Sequence, residues 1–383
     1  MEHTEKVLLL NFGSPEERYE YEQFVSRHPY GSFSQSLAWR QVKENWGHEA
    51  VVVRGPDGNI RAAMLILVKP LPLLHSSFLY APRGPVCFPE ETELLPLLFQ
   101  GIIQAAKKHR ACLFRMDPMI PENDARFLGA MACLGFSHTP KASEDTTVQC
   151  RSHYHLPLDG KTQEEIFSAF KSKWRYNIRL ASRRGVTCGY YGPERLDDFM
   201  KLMRETGHRD HFAIRSREYF LRLMDAFGSA CRLYLCEYNG ESLSGAIAIQ
   251  YAGKTSYVYG ASSNEHRNLM PCYLMQWSMI QWAIESGCSL YDFQGIPHFD
   301  EPDHPNYGVY RFKQGFSGEV VVYAGEFDYI FSPCKKAVMD FCQTGFRRLV
   351  HLRLLAQDTE KKVMEKLLPS KKVSAMPAPI PEK

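Results

Sequence analysis

Hydrophobic and polar positions alternate, cluster or recur every three to four residues along the chain, and the pattern changes at turn signals. Such periods separate strands from helices. Helices are predicted over Glu16–Val25 and Trp39–Trp46. A strand follows at Ala50–Arg54, then a turn at Pro56-Asp57-Gly58-Asn59, where Asp-Gly supplies tight-turn geometry, and a return strand at Ile60–Val68. A third strand is predicted at Ser77–Ala81, a long helix at Leu94–His109 and a buried strand at Cys112–Met116. The second half repeats the plan. Helices at Phe199–Arg204 and Glu218–Ala226 precede a strand at Arg232–Cys236, a turn at Asn239-Gly240 and a return strand at Ser244–Tyr251. Ser256–Gly260, the helix Tyr273–Ser286 and the strand Leu290–Phe293 complete it. Gly58 and Gly240 sit at matching turns and Leu113 and Leu290 in matching strands, both pairs offset by roughly 180 residues, which points to two copies of one α/β unit.

The longest unbroken apolar run, Ala62–Val68, is far shorter than the roughly 20 residues of a membrane span. The N-terminal residues have no basic region leading into an apolar one, so no signal peptide is expected. Composition adds three limits. Hydrophobic residues make up 44% and charged ones 23%, which excludes a disordered or fibrous chain. Net charge is only +3, so any surface for a polyanion must be local. The 11 cysteines form no C-x-x-C pair, which favours reduced thiols and a cytoplasmic setting over disulfides or a cysteine-bound zinc.

The local basic surface is plain in the sequence. Lys171, Lys173, Arg175, Arg179, Arg183 and Arg184 follow one another with no acid between them, and Lys171, Arg175 and Arg179 recur at the spacing of one helix face. A second basic amphipathic stretch, Phe346–Leu355, leads into a Lys- and Pro-rich end expected to be disordered from Lys371. The Asp/His-rich segment Pro297–His304 carries metal-ligand residue types, but in no zinc or EF-hand spacing, and no metal and no cofactor is expected.

Hairpin, third strand, long helix and late strand together resemble the unit of acyl-CoA N-acyltransferases of the GNAT type. Those proteins hold a pyrophosphate on a glycine-rich loop at a helix N-terminus. Here the matching loop, Glu265–Cys272, has no glycine, and Pro271 removes one donor. The expected fold is therefore α/β, two tandem GNAT-like domains with mixed sheets flanked by helices. Their expected extents are 1–165 and 166–345, the second beginning with the basic helix, and 346–383 forms a tail. Acyl transfer with a donor other than acyl-CoA is favoured; an acyl-CoA-dependent N-acyltransferase is the alternative, and a non-catalytic binding module the third class.

A more specific resemblance rests on five stretches: Phe33–Trp39, Tyr80–Pro85, Arg175–Ala181, Leu290–Gly295 and Tyr310–Phe316. In this order and register they resemble the FemABX family of peptidyltransferases, in a compact form without a coiled-coil arm. The resemblance implies an aminoacyl-tRNA donor and a peptidoglycan precursor as acceptor, either UDP-MurNAc-pentapeptide or lipid II. A monomer is expected, and the basic amphipathic tail suits peripheral contact with the inner membrane face, with packing on the second domain as the alternative. Aminolysis of an aminoacyl ester needs a held amine, a stabilised oxyanion and a proton sink. The resemblance places Lys313 near the oxyanion with Phe312 beside it, and Asp117 at the acceptor site, orienting the amine. It assigns Lys43 and Arg215 to the acceptor diphosphate and Tyr219, Tyr257 and Tyr259 to the cleft wall. Lys171, Lys173, Arg175 and Arg179 suit the phosphate backbone of the tRNA.

Overall fold

The computed structural model describes residues 5–139, 147–342 and 345. The chain opens with strand β1 (Lys6–Leu9) and helix α1 (Pro15–Arg27), whose start is set by Pro15 and by the Ser14 hydroxyl accepting from the Glu17 amide. Helix α2 (Leu37–Val42) is followed by β2 (Gly47–Arg54), β3 (Ile60–Leu71), β4 (Ser76–Ala81), α3 (Leu95–His109) and β5 (Ala111–Met116). Then come α4 (Ala125–Cys133) and β6 (Ser137–Thr139), β7 (Ser152–Pro157), α5 (Gln163–Ala169), α6 (Ser172–Arg183) and β8 (Thr187–Tyr191). The second unit continues with α7 (Leu196–Arg209), α8 (Arg217–Phe227), β9 (Cys231–Tyr238), β10 (Glu241–Tyr251), β11 (Lys254–Ser262), α9 (Pro271–Glu285) and β12 (Leu290–Gly295). Helix α10 (Tyr307–Lys313) and strands β13 (Glu319–Val322) and β14 (Glu326–Ile330) close it.

Two seven-stranded mixed sheets result, ordered β1-β2-β3-β4-β5-β14-β6 and β13-β7-β12-β11-β10-β9-β8. The repeat is explicit in the pairing. β2, β3 and β4 run antiparallel and β5 joins β4 in parallel after the crossover helix α3. β9, β10 and β11 run antiparallel, and β12 joins β11 in parallel after α9. These are two GNAT-like units. The apolar run Ala62–Val68 is buried at every position because one face of β3 (Ala62, Met64, Ile66, Val68) meets α3 and the opposite face is covered as well. Gly101 lets α3 lie on β2, since a Cβ there would stand 2.3 Å from Val51 Cγ1.

A boundary at 165 does not divide the sheets, and the expected division is corrected on this point. β7 precedes that position yet pairs with β12 and β13 of the second sheet, while β14 returns from the chain's end to pair with β5 and β6 of the first. Each unit leaves its fourth strand with an open edge, and an unpaired edge strand is a liability that a further strand removes. Half-buried Arg115 on β5 locks the β14 exchange, pairing with Asp328 at 2.7 Å and Glu326 at 2.7 Å.

Residues to Pro333 form one compact unit. A second begins at Cys334, and its described helical part carries a Lys336–Asp340 pair. The expected basic tail, 346–383, lies outside the described residues. No described helix is long and apolar enough to cross a membrane, and none exceeds the 15 residues of α3 and α9, so no coiled-coil arm occurs among the described residues.

Candidate active site

Lys313 ends α10 and is 6% exposed. Its ammonium donates to the carbonyls of Phe293 (2.7 Å), Gly295 (2.7 Å) and Gln294 (3.4 Å) and lies 5.9 Å from the Tyr257 ring centroid. Burial brings its pKa down to about 8, against the opposing pull of Asp292. Phe312 packs edge-on to Tyr273 and Phe316, and its carbonyl accepts from Trp174 Nε1 at 2.9 Å. Trp174 lies flat on Gly315, where a Cβ would come within 2.0 Å of the indole. The glycine of the Tyr310–Phe316 motif therefore seats the basic helix α6 against the helix that carries Lys313.

Asp117 follows β5 and is 2% exposed. Tyr80 Oη donates to Oδ2 at 2.6 Å and the Arg83 amide to Oδ1 at 2.6 Å. Burial raises its pKa, opposed by Arg83. Both oxygens are thus engaged within the first unit. Asp117 thus holds the backbone of Arg83, whose φ of 57° is left-handed.

The sequence reading did not single out Arg83, His153 or Asp292, which connect these two lysine and aspartate sites. Arg83 Nη2 donates to the Cys150 carbonyl at 2.8 Å and to His153 Nε2 at 2.9 Å. A guanidinium can only donate, so His153 Nε2 accepts and, in the neutral ring, the proton sits on Nδ1. That nitrogen faces Asp292 Oδ2 at 3.1 Å. Burial lowers the His153 pKa to about 4 in spite of Asp292. Burial pushes the Asp292 carboxyl up, but His153, His155 and the Gln294 amide outweigh it and hold the group well below the usual carboxylate range. His153, His155 and Asp292 are of types that could hold a metal, with ligand atoms within 4.8 Å of one another. The Arg83 bond, however, leaves a proton, not a lone pair, on the His153 nitrogen facing the carboxylate, so the trio is built as a carboxylate clamp. The His-x-His of β7 and Asp292 within the quoted Leu290–Gly295 stretch were the available signals; pairing of β7 with β12 brings them together.

Between the two halves lies a small polar cavity of about 30 Å³, room for about one or two waters, lined in part by Arg83, His153, Lys254, Asp292 and Gln294. Lys254 reaches across from β11 to the carbonyls of Pro29 and Gly31, and burial lowers its pKa to about 8. Phe33, also on the cavity wall, packs edge-on to Trp39.

From Trp39 the wall continues to the expected cationic pair. Lys43 Nζ lies 5.0 Å from the Trp39 ring centroid and 5.2 Å from that of Tyr219, and Arg215 lies 5.3 Å from the same Tyr219 ring. Burial and then Arg215 lower the Lys43 pKa to about 8. Tyr219 and Tyr259 share a hydroxyl–hydroxyl bond of 3.0 Å. The structure therefore brings Lys43, Arg215, Tyr219 and Tyr259 together although Lys43 belongs to the first unit and the other three to the second. Tyr257, on the same strand as Tyr259, faces Lys313 instead.

On α6, Lys171, Lys173 and Arg179 are exposed. Lys171 donates to Gln314 Oε1 at 2.9 Å, and Arg179 lies 5.0 Å from the Phe167 ring centroid. Arg175 turns back to the carbonyls of Ser168 and Phe170 and secures the α5–α6 turn.

The model of the FemAB family matches residues 16–242 and 237–344. The chain belongs to the FemAB family. It is 32% identical over 337 residues to the UDP-N-acetylmuramoylpentapeptide-lysine N(6)-alanyltransferase of Weissella viridescens, covering 85% of this chain and 97% of that one. It is 27% identical over 385 residues to the lipid II:glycine glycyltransferase of Staphylococcus haemolyticus, covering 82% and 91%. Among solved structures, FemX superposes with a TM-score of 0.79 at 25% identity, covering 87% of this FemAB chain and 99% of FemX. A tandem GNAT protein from the clavulanic acid biosynthesis pathway, TM-score 0.53 at 12% identity, shares the fold. Tandem GNAT-like architecture and FemAB membership, both expected from the sequence, thus stand on the sheets and on these likenesses.

Proposed function

We propose that this FemAB protein is an aminoacyltransferase that moves an amino acid from aminoacyl-tRNA to the side-chain amine of a peptidoglycan-precursor stem peptide, carried on UDP-MurNAc or lipid II. The observation that carries the reading is the buried Lys313 ammonium fixed by backbone carbonyls, an oxyanion partner that is already oriented. It is joined by the Lys43–Arg215 pair on Tyr219, where two cations suit a diphosphate. The names of the two relatives agree in acceptor class.

The amine nitrogen attacks the ester carbonyl carbon and forms the C–N bond. The carbonyl oxygen, now anionic, takes the place of the weak Gln294 carbonyl contact on Lys313. The C–O bond to the tRNA ribose then breaks, and the amine's proton passes to the departing ribose oxygen through the donor's own hydroxyl. Lys313 must be charged to act, while a carboxylate is too weak a base for the amine, which leaves Asp117 the part of orienting it. Exposed Lys173 and Arg179 on α6 face the tRNA backbone, and the enzyme acts as a cytoplasmic monomer, at the membrane face if the acceptor is lipid-linked.

Thermal-shift titration with UDP-MurNAc-pentapeptide, charged tRNA and acetyl-CoA, followed by a transfer assay with each charged tRNA, tests the reading. Stabilisation by the precursor and amino-acid transfer to it are expected. Stabilisation by acetyl-CoA with acetyl transfer would replace it with the acyl-CoA reading, against which the glycine-free approach to α9 speaks.

A further inference from the structure

Asp292 is not a surface carboxylate that happens to lie near a lysine. Gln294, two residues on, has a φ of 61°, a left-handed conformation that a glutamine rarely adopts. Asp292 holds it there twice over: the Gln294 amide donates to Oδ1 at 2.7 Å and Gln294 Nε2 to Oδ2 at 2.7 Å. The kink turns the successive carbonyls of Phe293, Gln294 and Gly295 onto one point, which Lys313 Nζ occupies. Asp292 is itself gripped from the other side by His153, and His153 by Arg83, whose backbone Asp117 caps. One chain of hydrogen bonds thus runs from Tyr80 and Asp117 in the first sheet to the lysine at the end of α10.

We infer that Asp292 is a positioning residue: it fixes the left-handed Gln294 turn that builds a three-carbonyl cage for the Lys313 ammonium, and the Asp117–Arg83–His153 chain ties that cage to the first unit. The inference rests on the aminoacyl-transfer reading for its consequence in catalysis, but the cage itself does not. The negative charge of Asp292 also favours the protonated ammonium, against the burial that disfavours it. The groups facing Lys313 are Asp292 on β12, Cys150 before β7 and the Tyr257 ring on β11. Behind Asp292 stand His153, His155, Lys254, Arg83 and Tyr323.

The test uses full-length protein carrying labelled lysine, with the Lys313 side-chain NMR signal assigned by its loss in Lys313→Arg. In Asp292→Asn, close in shape but uncharged, the Lys313 titration midpoint should fall by about one pH unit, the low end for loss of a nearby opposite charge. Transfer at pH 8 should fall about fivefold in kcat, as the protonated fraction drops from about a half to about a tenth, with KM for the precursor unchanged. Asp292→Glu should restore the midpoint. A folded Asp292→Asn with an unmoved midpoint overturns the inference. If that variant does not fold, Gln294→Gly serves: glycine enters the turn at no steric cost but lacks the Nε2 donor that ties position 294 to Asp292 Oδ2. A several-fold loss of kcat at constant KM supports the cage, and native kcat overturns it. A shifted midpoint in a protein whose native form transfers nothing supports the cage and overturns the aminoacyl-transfer reading alone.

Discussion

Lys313→Ala offers the most direct measurement of the proposed chemistry. The substitution removes an ammonium held by two 2.7 Å carbonyl bonds and a weaker one at 3.4 Å. An oriented donor at a developing oxyanion contributes about 3–4 kcal/mol, so kcat should fall between about 10² and 10³-fold. Binding of the precursor should not change, because Lys43 and Arg215 are separate from the cage. Single-turnover transfer from charged tRNA, with calorimetry of precursor binding, reads the two quantities. The pH dependence supplies a second check. Burial places the Lys313 pKa at about 8, below its ordinary 10.5, so native transfer should decline as pH rises through 8 and the ammonium is lost. Stability moves the other way. The folded state sheds this proton before the unfolded chain does, so the cost of the buried charge, on the order of 3 kcal/mol, is fully present below pH 8 and is relieved between 8 and 10.5. Loss of rate above pH 8 while stability rises is therefore a titration of the site rather than unfolding. A folded Lys313→Ala protein with kcat within about threefold of native would refute the reasoning.

Three further outcomes follow from the same geometry. Lys43→Ala and Arg215→Ala should each raise KM for UDP-MurNAc-pentapeptide about tenfold or more with little change in kcat, since a hydrogen bond to a charged group is worth about 1.5–3 kcal/mol; unchanged KM in both would remove the diphosphate from that face. Replacing Lys173 and Arg179 together by alanine should lower the slope of log KM for charged tRNA against log salt by about one to two, as each phosphate contact contributes about 0.7–0.9, and an unaltered slope would detach α6 from the donor. Gly101→Ala should destabilise the protein by about 1–3 kcal/mol in urea unfolding, because its Cβ would stand 2.3 Å from Val51 Cγ1 across the α3–β2 contact; a native midpoint would show that the helix can slide.

The strands and helices of each repeated unit are legible in the sequence because they depend on local period and local turn chemistry. Asn239-Gly240 illustrates this: its backbone takes φ of 50° and 81°, the conformation those two residue types favour. The short strands are a different matter. β7 and β14 have modest patterns of their own and form because β12 and β5 leave an edge to be paired, a condition that arises only once each sheet exists. The same holds within the site. Lys313, Lys43 and Arg215 are visible through motifs that resemble the FemABX pattern, yet nothing local reports that Lys43 and Arg215 share one tyrosine.

Asp292 shows where the division falls. Its sequence neighbours specify a buried strand end, and the left-handed Gln294 is a backbone choice that no propensity favours. Only packing of β7 against β12 brings His153 onto that carboxylate, and only the meeting of the two units sets Arg83 behind the histidine. Sequence alone determined two α/β units, their internal hairpins, the basic helix and the family, since periodicity and contiguous motifs are properties of neighbouring residues. Tertiary structure decided the strand exchange, the grip of Asp117 on Arg83 and the cage around Lys313, because hydrogen bonds between residues far apart in the chain exist only after the backbone has brought them within reach.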